Sequence, residues 1–295
     1  MGVNSVQVRR LVGAALLIAL LALLIGCGEV DPKFDQNTFA PEGDVARKQR
    51  DILILWVLGP AAVIFVVMQA LLIYAVIRFR RKKGQELPRQ VHGNNRLEYA
   101  WTIAPAILLL ILIVPTVAGV IDLGRDAADD ALRVRVIGQQ YSWTFEYPDL
   151  TDAEGKPLTV FGVPDEVGKP GTGRPAELYI PVNREIGVTL ESVDVIHSFW
   201  VPKLAGKLDV LPVLRDKVTG EIIAGRVNSM WFNATKVGSY SGQCAEFCGF
   251  QHADMRLIVI AESEEDFEAW VADQLEGGGA ARSRAGELAL VSYGE

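Results

Sequence analysis

Two thiols, an imidazole and a thioether fall within twelve residues of this 295-residue chain. They are Cys244, Cys248, His252 and Met255, in the run Gly242-Gln243-Cys244-Ala245-Glu246-Phe247-Cys248-Gly249-Phe250-Gln251-His252-Ala253-Asp254-Met255. A second imidazole, His197, lies upstream in Asp194-Val195-Ile196-His197-Ser198-Phe199-Trp200. Thiolate and thioether sulfur together with imidazole form a soft ligand set of the copper type. Structural zinc is a rival reading, but zinc normally takes four ligands without a thioether, often as two separated close pairs. A Cys244–Cys248 disulfide is another, natural in an exported domain, though it leaves His252 and Met255 without a role. Taken singly, His197 or Met255 reads as an ordinary core or surface residue. Together the five positions point to a metal.

The elements that must position these residues change character along the chain. From Leu132 onward apolar and polar residues alternate: Leu132, Val134 and Val136 against Arg133 and Arg135, a half-buried strand. Further short β-rich runs cover 177–180, 187–191, 226–232, 238–243 and 256–261, separated by Pro and Gly clusters, notably at 164–175. Such spacing suggests an antiparallel sandwich or barrel. A helix is expected at 264–275, opened by a capping box from Ser263 to Asp266, with Phe267, Trp270, Val271 and Leu275 on one face. The three glycines after Glu276 begin a small-residue tail read as flexible.

Half of the residues are hydrophobic, too many for an ordinary soluble domain, and the excess lies before the β-rich part. Residues 52–77 form an apolar run of spanning length ending in Arg78-Phe79-Arg80-Arg81-Lys82-Lys83, a basic cluster that marks the cytoplasmic side. Residues 101–121 form a second, in which Pro105 and Pro115 are tolerable within a membrane. Residues 28–50 and everything after Asp122 then lie outside. His92 lies inside, so it shares no metal with His197 or His252. An earlier run, 11–25, follows Arg9 and Arg10 and ends Leu24-Ile25-Gly26-Cys27, which resembles a bacterial lipobox. Cys27 is read as the lipidated mature N-terminus; the alternative is an uncleaved signal anchor. The formal charge of −7 argues against nucleic acid and leaves room for a basic protein partner.

Three stretches carry a resemblance to a known family. They are the C-A-E-F-C-G-x-x-H-x-x-M motif at 244–255, Leu97-Glu98-Tyr99-Ala100-Trp101-Thr102-Ile103-Ala104-Pro105, and Gln140-Tyr141-Ser142-Trp143-Thr144-Phe145-Glu146-Tyr147. Over 51–275 the chain is similar to subunit II of bacterial cytochrome c oxidase. That implies an all-β, cupredoxin-like Greek-key sandwich or barrel preceded by a two-helix transmembrane hairpin. The expected parts are a signal peptide (1–26), an exported segment (27–50), the hairpin (51–123), the copper domain (124–275) and a tail (276–295).

The resemblance also implies a binuclear CuA centre. Cys244 and Cys248 would bridge two coppers as thiolates, with His197 and Met255 completing one and His252 and the Glu246 carbonyl the other. The Glu246 side chain would reach a magnesium ion shared with subunit I. Glu98 would mark the mouth of a proton path. Tyr141 and Trp143 would form the port for electrons, although many relatives read Q-W-x-W where this chain has Tyr141; the plainer reading is that both rings pack the end of a strand. The expected activity is that of an oxidoreductase subunit passing electrons from cytochrome c to the haem of subunit I. There oxygen is reduced to water with proton translocation across the bacterial cell membrane. Subunit III is a further expected partner. No cysteine follows Cys248, so a fused haem c is not expected and the donor is a separate protein or subunit. The ligand set opposes a copper-free quinol oxidase subunit. The two spans oppose a soluble nitrous oxide reductase, and the spans and ligand set together oppose a copper chaperone.

Overall fold

The structure is a computed structural model describing residues 36–80, 84, 90, 92–169, 171–216 and 219–276. Cys27, the lipobox reading and the tail lie outside the described residues, as does most of the basic cluster.

A continuous helix, Asp44–Arg78, and a second, Asn95–Leu123, are long and apolar enough to cross a membrane, and almost all their side chains face outward. The first has three parts: α1 (Asp44–Asp51), a π-helical stretch (Ile52–Leu58) and α2 (Gly59–Arg78). Pro60 offers no N–H, and its ring crowds the carbonyl four residues back, which accounts for a widened turn just before it. The polar start of the helix is docked on the β domain: Val45 and Ala46 are buried and Ala46 N donates to Leu204 O (3.3 Å), while Lys48 pairs with Asp122 near the end of the second helix (2.6 Å). The second helix, α3, is opened by Asn94, whose side chain accepts from Arg96 N (3.1 Å) and Leu97 N (3.3 Å).

The remainder is one sheet of eleven strands among the described residues. β1 (Leu132–Gln139) and β2 (Ser142–Thr151) form a hairpin, followed by β3 (Pro157–Phe161), β4 (Ala176–Pro181) and β5 (Ile186–Ser192). Then come β6 (His197–Trp200), β7 (Leu208–Arg215), β8 (Ile222–Gly225), β9 (Asn228–Phe232), β10 (Gly238–Cys244) and β11 (Arg256–Glu262). The strand order is β3-β2-β1-β5-β7-β6-β10-β11-β4, with β8 on β7 and β9 on β5. The sheet is mixed, unlike the antiparallel expectation: β1–β5, β5–β7 and β4–β11 run parallel. Each parallel pair joins strands distant in sequence, which crossed connections permit and hairpins do not.

The free edges of the sheet approach each other and nearly close it into a barrel. The Tyr147 hydroxyl on β2 donates to Tyr179 O on β4 (2.8 Å) and accepts from Tyr179 N (3.0 Å). Val163 and Arg174 add an isolated bridge, with both backbone bonds at 2.8 Å. Burial raises the Tyr147 phenol far above its usual range, so it stays a neutral donor. The helix α4 (Glu264–Leu275) covers this seam, its Trp270 ring stacked on Tyr179 at 4.3 Å. Ser263 caps it, accepting from Asp266 N (3.1 Å), as its sequence suggested. Tyr147→Phe keeps the ring and deletes both seam bonds. Thermal unfolding should register a loss of about 1–3 kcal/mol.

Candidate metal centre

The site forms where β6 meets β10. Cys244, the last residue of β10, pairs with Phe199, which sets His197 beside it two residues back. The loop after Cys244 returns on itself: Cys244 N donates to Met255 O (3.0 Å), so Met255 comes back beside the first thiol. Ala245 N donates to Ser198 O (2.9 Å), tying the loop to β6. A short 3-10 turn, His252–Asp254, carries the second imidazole.

Six donors converge. Cys244 Sγ lies 3.9 Å from Cys248 Sγ, 3.9 Å from His197 Nδ1 and 3.2 Å from the Glu246 carbonyl oxygen. Cys248 Sγ lies 3.6 Å from His252 Nδ1 and 3.8 Å from Met255 Sδ. Cys244, Cys248, His197 and Met255 are buried; His252 is half-buried. A disulfide has its sulfurs about 2.05 Å apart, so these two thiols are free. The donor atoms of His197, Cys244 and Cys248 alone lie within 4.8 Å of one another, and the three can hold a metal ion. The set is soft and mostly buried, which fits copper and not a hard cation.

The electrostatics call for positive charge. Burial opposes ionisation of Cys244, but hydrogen bonds from His197, Ser198 N–H and other neighbours outweigh it and bring its thiol down to about 7. Burial and the Cys244 charge push Cys248 up to about 12. A thiolate at Cys244 thus opposes a second at Cys248, and a bound cation would offset that repulsion. On the outer side of His197, Nε2 lies 2.8 Å from Asp194 Oδ1, the arrangement that orients a metal-binding imidazole. Burial lowers the pKa of His197, but the Cys244 sulfur and Asp194 outweigh it and raise it overall.

Gly138 on β1 makes room for the His197 ring, since a Cβ there would lie 2.9 Å from its Cδ2. Asp194 and Gly138 were not singled out from sequence. A carboxylate three residues before a candidate ligand was the available signal for Asp194. Nothing local marks Gly138, because His197 reaches it across the sheet.

Trp143 is fully buried, packing edge-on against His197 (6.0 Å) and Phe199 (5.9 Å). Trp143, Phe145 and Tyr147 are inward positions of β2. Tyr141 lies outside β2, half-buried in the two-residue turn after β1, where the Gln140–Tyr141 peptide is cis. Glu98 lies apart from the metal centre, exposed in the first turn of α3, where its Oε1 accepts from Asn94 N (3.2 Å). His92 is exposed and takes no part in the donor cluster. The Glu246 side chain is exposed beside the site. Around the donors, Phe247, Phe250, Val193 and Ile196 form an exposed apolar rim.

Two helices long and apolar enough to cross a membrane lead into a nearly closed, cupredoxin-like barrel that carries a cluster of soft donors able to hold a metal. The family model described as cytochrome c oxidase subunit II, periplasmic domain, matches residues 132–262, and that for the transmembrane domain of the same subunit matches residues 45–118. The chain belongs to the cytochrome c oxidase subunit II family.

Among its relatives, cytochrome c oxidase subunit 2 of Alkalihalophilus pseudofirmus is 35% identical over 237 residues, covering 78% of this chain and 60% of that one. The Bacillus subtilis protein of the same name is 33% identical over 273 residues, 86% of this chain and 66% of that one. The chain therefore spans less than two thirds of the length of these two relatives. A probable cytochrome c oxidase subunit 2 from Rickettsia bellii is 31% identical over 266 residues, 88% of this chain and 91% of that one. Among solved structures, the periplasmic domain of subunit II of cytochrome oxidase from Bradyrhizobium japonicum is 31% identical. It covers 50% of this chain and 96% of that one, with a TM-score of 0.40.

Proposed function

We propose that this chain is the electron-accepting subunit of a bacterial cytochrome c oxidase. It would take electrons from cytochrome c at a binuclear copper centre and pass them to haem in subunit I, where oxygen is reduced with proton translocation. The observation that carries this reading is the convergence of two free thiols, two imidazoles, a thioether and a carbonyl at one end of the barrel. When bound, the copper pair supplies one-electron redox chemistry with the electron shared between the metals.

The chain's own residues do the rest. Cys244 and Cys248 provide the thiolates, and His197 and His252 one imidazole each. Met255 and the Glu246 carbonyl would supply the remaining donors. The barrel holds these donors in place, so little rearranges when an electron arrives. Asp194 fixes the ring of His197. The exposed Glu246 carboxylate suits a magnesium ion at the face toward subunit I. The apolar rim of Phe247 and Phe250 suits protein docking. The ring of Tyr141 is the contact for the donor, with Trp143 buried behind it. Subunits I and III are the membrane partners, in the bacterial cell membrane with the barrel outside. Rapid mixing of the intact complex with reduced cytochrome c tests the order of transfer. The copper centre should be reduced before the haem; haem reduction ahead of it would count against the proposal. In the same assay Tyr141→Ala should slow reduction of the centre by the donor, read on the copper-loaded fraction of the complex.

Glu98 is assigned to the cytoplasmic mouth of a proton path. Glu98→Ala should slow steady-state oxygen consumption while the copper is still reduced at its normal rate. Unchanged oxygen consumption with ample donor would rule out that role and leave the helix cap alone. Cys27 is assigned as the lipidated N-terminus. Mass spectrometry of the mature N-terminal peptide should find a diacylglyceryl adduct there; an unmodified peptide spanning Gly26-Cys27 would reject it.

A further inference from the structure

The turn between β1 and β2 touches both the segment leading into β6, which begins at His197, and the loop that carries His252. On one side Gln140 N donates to Asp194 Oδ2 (2.6 Å), and Asp194 Oδ1 in turn meets His197 Nε2 (2.8 Å). On the other side Gln140 Nε2 donates to Cys248 O (2.6 Å), and the Tyr141 hydroxyl accepts from Phe250 N (3.0 Å). Both of these last bonds grip the chain between Cys248 and His252.

We infer that Tyr141 is a positioning residue for the metal loop, its hydroxyl acting as the acceptor that fixes the backbone between Cys248 and His252. Three observations carry this. First, the Phe250 ring is 80% exposed, so packing does not anchor that residue and its backbone bond does. Second, the chain passes directly over the hydroxyl at Gly249, where φ is +134° and a Cβ would lie 2.5 Å from the Tyr141 oxygen. The close approach and the backbone angle both require glycine, so loop and hydroxyl are fitted to each other. Third, the task needs an oxygen. Phenylalanine has no acceptor, and the tryptophan indole only donates. Tyrosine at this position therefore adds a bond that the Q-W-x-W pattern lacks. Losing it releases the Phe250 amide and, with Gln140 still on Cys248 O and Gln251 Nε2 still on Asp165 O (2.8 Å), weakens the hold on the approach of His252 Nδ1 to Cys248 Sγ, now 3.6 Å.

The inference rests on the copper reading for its effect on metal, but the bond can be measured independently. Wild type, Tyr141→Phe and Tyr141→Trp would be compared as the full chain in its membrane complex. The readouts are hydrogen exchange at the Phe250 amide, copper release to a chelator, and exchange in β1 and β5 as a measure of general stability. In Tyr141→Phe, which keeps the ring, Phe250 exchange and copper release should both quicken roughly two- to tenfold, the factor carried by one net hydrogen bond. Exchange in β1 and β5 should stay unchanged. Tyr141→Trp should behave like Tyr141→Phe. Wild-type exchange and release rates in Tyr141→Phe would overturn the inference, as would their full restoration by tryptophan. A wild-type chain that holds no copper would instead remove the copper reading, and exchange at Phe250 would still report on the bond.

Discussion

Replacing Cys244 or Cys248 by serine should abolish the copper centre and, with it, donor-driven oxygen consumption by the complex. The serine hydroxyl does not ionise near neutral pH and is a hard ligand, so each substitution removes a donor that both metals would share. The sulfurs lie 3.9 Å apart and form no crosslink, so no covalent staple is lost. The barrel should therefore stay folded, and copper loss should appear without a large fall in thermal midpoint. Metal analysis and the optical spectrum of the purified variants would measure this. A folded double-serine variant that kept a normal copper spectrum would sink the ligand assignment.

Trp143→Ala should be the most damaging single change to the barrel. The ring is fully buried, wedged between His197 and Phe199, and its removal leaves a cavity that the sheet cannot collapse to fill. The expected loss is about 3–5 kcal/mol, read as a lower unfolding midpoint. Copper should also be held less firmly, because Trp143 and Gly138 together confine the His197 ring. A loss below about 1 kcal/mol would mean that Trp143 is not the core residue its burial implies.

Some of this was legible in the sequence for definite physical reasons. The donors from Cys244 to Met255 sit on one short loop, so their spacing in sequence nearly is their spacing in space. The two spans and α4 announce themselves by apolar length and by a cap from Ser263 to Asp266. The inward alternation of β1 is equally visible. Other features depend on contacts between distant residues. β6 has only four residues, three of them buried, so it shows no alternation. β2 presented itself as an aromatic run, and only the fold separates buried Trp143 from half-buried Tyr141. The hairpin of β7 and β8 was masked by Pro212 and by the charged residues between its strands. The grip of Gln140 on Cys248 spans 108 positions, and no local pattern could reveal it.

A copper pair held by these six donors should be visible by electron paramagnetic resonance and metal analysis of the intact purified complex. Two coppers should be found at this centre and, in the half-reduced state, one unpaired electron coupled equally to both copper nuclei. Zinc in place of copper, or hyperfine coupling to a single copper nucleus, would contradict it.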